Sequence, residues 1–491
     1  MDGGKNLAMK GEEILEREKK KAQKHVFTER NFQANGPYRV TGQFTKILFF
    51  EVMKEEEVKF IVCDEEADLM TAAVANQLGG YVVSNDADFF LYEVGEGIIN
   101  FNSFYYGNYK AYKYEKLARC LNMRADLFPL LALILGNDYS EANFLKKIQE
   151  KLNLNRSGTY DGLRLNMEKI VQYMKSKESL SCEKILQDLC GGDADMFQKL
   201  RKELSEFTVS TLQESAKKNL DGNQHKSIKD IFNIDNIRAD QLVDHLVKSG
   251  FLLGNVSDLI TRRISYVTVH GEDVAEKPAA LYSIELRKCL YSLLLGKGKE
   301  VTEYSRKSGK FSREKITLLT DQPRLMELVS KNEDERRSWL FCVLGVQEDE
   351  IKKLDGKTNS LILMALKFYS KEFTNLHKND ENIDSFLPRV IRAFLCMHIY
   401  MTNEKTAPAS PQLELHLVHT FNCFQTILFY ISILNTLVGR PFGVPETGNL
   451  LSIGIFHFFF KKEKGKLTVK GSSSLFFCFK VQKASKKKKS D

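Results

Sequence analysis

Between Cys63 and Leu91 the chain carries Glu66 and Asp68, then Asp86 and Asp88, two acidic pairs each spaced i and i+2 on either side of an apolar passage. Carboxylates are hard oxygen donors that suit Mg²⁺ or Mn²⁺. Two such ions roughly 3.5 to 4 Å apart can clamp the attacking and leaving oxygens of a phosphodiester. The chemistry implied is metal-dependent cleavage of a nucleic-acid backbone. A plainer reading exists for each pair alone, since acids favour the first turn of a helix and an Asp often caps a turn. Repetition of the pair after two apolar runs favours the metal reading.

The elements that must position these acids are legible around them. Val58 to Cys63 (VKFIVC) is apolar and β-branched, as expected of a strand buried on both faces. Leu69, Ala72, Ala73 and Ala75 to Leu78 read as a helix stopped by Gly79 and Gly80. Tyr81, Val82 and Val83 then open a second strand ending at Ser84-Asn85-Asp86. Both acidic pairs are thereby expected at carboxyl ends of strands, the edge at which open parallel sheets bind ligands. Upstream, Lys10 to Lys24 reads as a charged helix. Lys10 and Arg17, seven apart, share a face that could meet the scissile phosphate, with Lys19, Lys20 and Lys21 as competitors and a solvated helix of Glu–Lys pairs as the alternative.

The order E-x-D, helix, strand ending D-x-D, and then Leu-Gly-Asn-Asp-Tyr at 135 to 139 resembles the flap-endonuclease (XPG-like) superfamily. Within it the asteroid family is similar through Asp2-Gly3-Gly4, EEADLM, SNDADF, FPLLALILGNDYS and FLLGNVSDLITRR, over residues 1 to about 440. The resemblance implies an α/β fold. Residues 1–150 would form a PIN-like/XPG-like nuclease core with a mostly parallel sheet flanked by helices, 151–440 a mainly helical asteroid-type region, and 441–491 a Phe/Lys-rich tail. It assigns metal-binding roles to Asp2, Glu66, Asp68, Asp86, Asp88 and Asp138, holding two Mg²⁺ or Mn²⁺ ions, and catalytic roles to Lys10 and Arg17. It further implies a structure-selective endonuclease of single-stranded DNA or overhangs, acting in DNA repair in the nucleus.

Two departures accompany the matches. Where the family has an apolar strand, a first catalytic Asp and a Met-Gly-Ile-x-Gly-Leu start, this chain opens at Met1-Asp2-Gly3-Gly4, so a shortened and inactive product is one expectation. After Asp138 the segment SEANFLKKIQEKLNL replaces the glycine-rich hairpin that grips duplex in flap endonucleases. The alternative function is therefore a catalytically silent scaffold that binds nucleic acid or protein partners. A PIN-type RNA nuclease is a third reading.

Composition sets the remaining bounds. The 491 residues, 43% hydrophobic, can supply two or three cores, and the net charge of +8 is compatible with nucleic acid without indicating it. Nine cysteines without C-x-x-C spacing argue against a disulfide framework or zinc site and suit a nucleus or cytoplasm. The most apolar stretch, Thr420 to Val438, contains Asn422, Gln425 and Asn435 and is expected as a buried helix rather than a membrane span. His416 and His419 lack the H-E-x-x-H order, and no phosphate-cradling glycine motif is present. Residues 295 to 315 are expected as a surface loop in which Lys297, Lys299, Arg306, Lys307, Lys310 and Arg313 interleave with Tyr304 and Phe311. That mixture suits single-stranded nucleic acid, though an ordinary solvated loop is the alternative. From Gly448 onward helical periodicity fades, and Lys486 to Lys489 could serve as an import signal or a solubilising tail.

Overall fold

The computed structural model describes residues 15–20, 23–35, 42–64, 67–104, 109–135, 142–154, 160–205, 209–222, 226–267, 269–307, 310–352, 357–403, 412–444 and 452–461. Asp2, Lys10, Glu66 and Asp138 lie outside the described residues, as does 462–491. The chain divides into two compact units, the first containing Phe60–Gln224 and the second combining Leu15–Lys59 with the residues from His225 onward. The described strands are β1 (Val26–Phe27), β2 (Val82–Ser84), β3 (Ile98–Asn100), β4 (Ala111–Tyr112), β5 (Ile264–Val267), β6 (Glu272–Asp273), β7 (Glu300–Lys307) and β8 (Lys310–Thr317).

Helices dominate both units, and the sheets are small and mixed, which corrects the expectation of a mostly parallel sheet. In the first unit the order is β2-β3-β4, with β2 parallel and β4 antiparallel to β3. Val58 to Cys63 belongs to no strand, although Phe60 and Val62 are buried. Its apolar residues supply burial, which a buried extended segment offers as well as a strand does.

The first unit's core is built around Phe128–Leu135 (FPLLALIL), a helix apolar on every side, with Leu130, Leu133 and Ile134 fully enclosed. Such a helix has no solvent face and must be covered all round. Apolar residues of Tyr160–Ser176, Cys182–Cys190 and Ala194–Ser205 cover it. A second cluster joins Ala72, Ala73 and Ala75 to Val82, Phe89, Tyr92 and Ile98, so the helix Asp68–Leu78 packs through small residues onto the strands.

In the second unit the helix Leu415–Leu437 is buried at every position except His416. It is long and apolar enough to cross a membrane, yet its polar residues are used inside the unit. The Asn422 amide donates to the carbonyls of Val418 (2.9 Å) and Gly271 (3.3 Å), and Asn435 exchanges two bonds with the backbone of Phe442. Ile453–Lys461, in the segment read as patternless, is a helix whose Phe456 stacks on Phe394 at 4.3 Å between ring centres. Its phenylalanines are placed by neighbouring helices, a signal that no local period carries.

Most of the stretch expected as a loop at 295 to 315 is instead strand, 300–307 and 310–315 belonging to β7 and β8, which pair from Glu300↔Thr317 to Lys307↔Lys310 with β5 on the other side of β7. The alternating burial of Val301, Glu303 and Ser305 against half-exposed Thr302 and Tyr304 is the period-two pattern of a strand with one core face. Glu303 faces that core and receives both arms of Arg287, Nε at 2.8 Å and Nη2 at 2.9 Å, with each side chain 1% exposed. Burial alone would lower the Arg287 pKa; the carboxylate of Glu303 outweighs it and holds the guanidinium charged. The Ala280 carbonyl and Ser283 hydroxyl accept from Nη1, and the Tyr291 hydroxyl donates to Glu303 at 2.8 Å, so the pair is satisfied within the core.

His419, buried in the same unit, has its pKa lowered to about 3, chiefly by burial and then by Arg306. A histidine kept neutral when folded contributes stability that is present above its ordinary pKa near 6.5 and lost as pH falls from there toward 3. The single tryptophan, Trp339, belongs to this unit and reports its unfolding. Between pH 7.5 and 5 the parent should lose about 2 kcal/mol more than His419→Asn, which keeps an acceptor for the Asp273 N–H and cannot titrate. Parallel losses in urea titrations followed by Trp339 fluorescence would rule out His419 as the source.

Candidate functional site

The acidic edge of the first unit is assembled by backbone geometry. β2 and β3 run parallel with Val82↔Ile98 and Ser84↔Asn100 in register, so the residues after Ser84 and after Asn100 emerge at the same end. The helix Asp68–Leu78 begins on Asp68 and ends at Gly79, whose φ of +62° is open to glycine at little cost and turns the chain toward β2. Gly97 permits a second close approach: a Cβ there would lie 2.8 Å from the carbonyl oxygen of Tyr112, where β3 meets β4. Asn76 ties the helix to the following loop, donating to the Glu93 carbonyl at 2.7 Å and accepting from the Gly95 N–H at 2.8 Å.

Asp86 and Asp88 are both exposed, while Phe89 between them and the core is 5% exposed and anchors the turn. The Asp86 N–H donates to the Ser84 hydroxyl at 3.0 Å, and its carboxylate accepts from the Asp88 N–H at 3.1 Å. The capping role read as the plain alternative is therefore real. It uses one direction of a group with about four lone-pair directions, which leaves capacity for a cation. Asp68 is half-buried at the start of its helix.

Asn85 and Asn102 join the two strand ends. The Asn102 N–H donates to Asn85 Oδ1 at 3.2 Å, and the Asn85 amide donates to Asn102 Oδ1 at 3.3 Å. Asn100 Oδ1 takes a further bond from the Asn102 N–H, at 3.1 Å. The sequence reading missed this clasp, for which an Asn shortly after each of two strands was the available signal.

The donors described here are oxygen only, without thiol or imidazole, which fits a hard divalent cation rather than zinc. Among the described residues, however, no three metal-ligating side chains are gathered into one group. Arg17 is exposed and belongs to the second unit, whereas the carboxylates belong to the first.

The six basic residues of the hairpin region separate into different environments. Lys297, Lys299, Lys310 and Arg313 are exposed, and Lys307 pairs with Glu314 at 2.7 Å. Arg306, expected to meet phosphate, is 4% exposed. It pairs with Glu272 at 3.2 Å and donates to the carbonyls of Asp273 and Glu276. Burial raises the Glu272 pKa, an effect that Arg306 opposes, and the Ala279 N–H bonds the same carboxyl at 2.7 Å. Arg306 is thus a structural counter-ion, a role set by a partner 34 positions away in sequence. Arg306→Met should cost the second unit about 3 kcal/mol by leaving Glu272 without its partner. Arg313→Ala should change stability by no more than about 0.5 kcal/mol. Melting curves read through Trp339 check both, and equal effects would contradict the assignment.

Comparison with known proteins bears on this edge. The XPG-domain-containing family matches residues 43–318, more than half of the chain, and the asteroid N-terminal domain matches residues 286–471. Single-strand DNA endonuclease ASTE1 of Danio rerio is 27% identical over 152 residues, covering 28% of this chain and 22% of the relative. The proteins of the same name from Mus musculus and Homo sapiens are 27% identical over 168 residues and 26% identical over 167. Each alignment covers 31% of this chain, with 25% and 24% of the relative. The shared stretch is thus about a quarter of the length of these curated relatives. No solved structure matches. The chain belongs to the XPG-domain-containing family and carries the asteroid N-terminal domain in its second half.

Proposed function

We propose that this protein is a metal-dependent, structure-selective endonuclease of single-stranded DNA or overhangs, working in DNA repair in the nucleus. The observation that carries the reading is the exposed pair Asp86 and Asp88 at the carboxyl end of β2, in a chain of the XPG-domain-containing family. The relatives named single-strand DNA endonuclease support the choice of DNA and of single strands.

Asp68, Asp86 and Asp88, with Asp2, Glu66 and Asp138 from outside the described residues, would hold one or two Mg²⁺ or Mn²⁺ ions. A bound ion of this kind supplies Lewis-acid stabilisation of charge on the phosphate. The protein's own part is to fix the carboxylates before substrate arrives. The bond from the Asp88 N–H holds the Asp86 carboxylate, and the Asn85–Asn102 clasp sets the edge on which it stands. Lys10 or Arg17 would neutralise phosphate charge as it develops. One observation favours the second reading, a silent scaffold binding nucleic acid or protein: the described donors do not converge as a group of three.

A cleavage assay on labelled single-stranded, overhang, flap and duplex DNA, with an RNA control, separates the readings. Asp86→Ala combined with Asp88→Ala should abolish Mg²⁺- or Mn²⁺-dependent cutting, a loss of at least about 100-fold, while DNA binding stays within about twofold. Cutting that persists in the double variant would exclude these carboxylates as the site.

A further inference from the structure

The edge that carries Asp86 also carries two exposed aromatic rings. Phe101, the residue after β3, is 55% exposed, and Tyr109, two residues before β4, is 53% exposed. β3 and β4 pair antiparallel with Ile98↔Tyr112 and Ile99↔Ala111. One step further along this register Lys110 comes level with Asn100, where β3 ends, and Phe101 and Tyr109 flank that end. On the other side of β3, β2 ends in register with it at Ser84↔Asn100, and Asn85 and Asp86 follow directly. The chain thus leaves β2, leaves β3 into the short helix Phe101–Phe104 and enters β4 at one end of the sheet, which brings the Asp86 turn, Phe101 and Tyr109 to that end.

The turn that presents Phe101 is fastened on both sides. The Asn102 N–H is held by Asn85 and Asn100, and the Ser103 hydroxyl donates to the Asn100 carbonyl at 2.7 Å. Single exposed aromatics are ordinary on protein surfaces. Two at one strand edge, beside carboxylates and the exposed Lys110, combine flat apolar faces with a cation. Unpaired bases recognise that combination through stacking and phosphate attraction, whereas duplex DNA hides its base faces.

We infer that Phe101 and Tyr109 form a base-stacking platform for single-stranded DNA beside Asp86 and Asp88, with Lys110 meeting an adjacent phosphate. This rests on reading that edge as the cutting site, and it names the residues that would select single strands there.

The test uses the full chain carrying Asp86→Ala and Asp88→Ala, so that binding is read without cutting, with fluorescently labelled oligo-dT and a matched duplex. Adding Phe101→Ala or Tyr109→Ala should weaken oligo-dT binding about fivefold or more, with duplex binding changed less than about twofold. Phe101→Trp should retain affinity, and an oligonucleotide containing 2-aminopurine should lose its stacking-induced quenching with Phe101→Ala but not with Phe101→Trp. Single-strand affinity unchanged by both alanine variants would overturn the platform. So would equal losses on duplex, or no measurable oligo-dT binding by the parent. If the alanine variants bind normally while Asp86 and Asp88 prove essential for cutting, the platform fails and the cutting site stands. If cutting survives loss of both aspartates, the reading beneath it fails instead.

Discussion

The parallel pairing of β2 with β3 is the constraint on which the candidate site depends. Three residue pairs in that ladder decide that the chain leaves both strands at the same end, so that Asp86 and Asn102 can stand together. An antiparallel pair of the same two segments would send them to opposite ends. β4 then returns antiparallel to β3 and brings Tyr109 and Lys110 to that end from the other direction. The small residues Ala72, Ala73 and Ala75 let the preceding helix lie close under the strands, and Phe89 pins the acidic turn from below. The edge is polar because the faces behind it are apolar.

In the second unit the organising choice is electrostatic. Two strand residues that sequence marks as solvent groups, Glu303 and Arg306, are both buried on the hairpin, each against an opposite charge from another element. Buried pairs of this kind contribute little net stability over apolar packing, but each partner is costly to leave alone. They therefore specify which surfaces may meet. The exposed lysines of β8, on the outer edge of the sheet, complete the division by discouraging further strand pairing there.

Where signals were local, the sequence reading and the structure agree. The helix after the first acidic pair stops at Gly79, the second strand ends at Ser84, and Leu415–Leu437 is a buried helix in which Asn422 and Asn435 bond to backbone of the same unit. The failures share a cause. Val58 to Cys63 has a strand's composition but belongs to no described strand, the hairpin at 300–317 is hidden by its charged residues, and Arg306 reads as a phosphate ligand because Glu272 is distant in sequence. Each depended on a partner that lies outside any local window. The Asn85–Asn102 clasp and the placing of Phe101 and Tyr109 at one end of the sheet are likewise visible only once three strand ends are aligned.

The pairing of β1 with β6 has a consequence for how the chain is made. Val26 lies opposite Glu272, and the second unit encloses residues from both sides of the first in chain order. At translation rates of about 5 to 20 residues per second, the partner of β1 emerges roughly 250 positions and about 12 to 50 s later. Through that interval Phe27 and Phe32, side chains that end in a buried cluster with Leu415 and Val418, await segments still to be synthesised. The first unit, whose last residue is Gln224, is complete before Glu272 emerges. Biogenesis thus leaves a period in which the N-terminal apolar residues depend on chaperones or on their own charged flank for solubility.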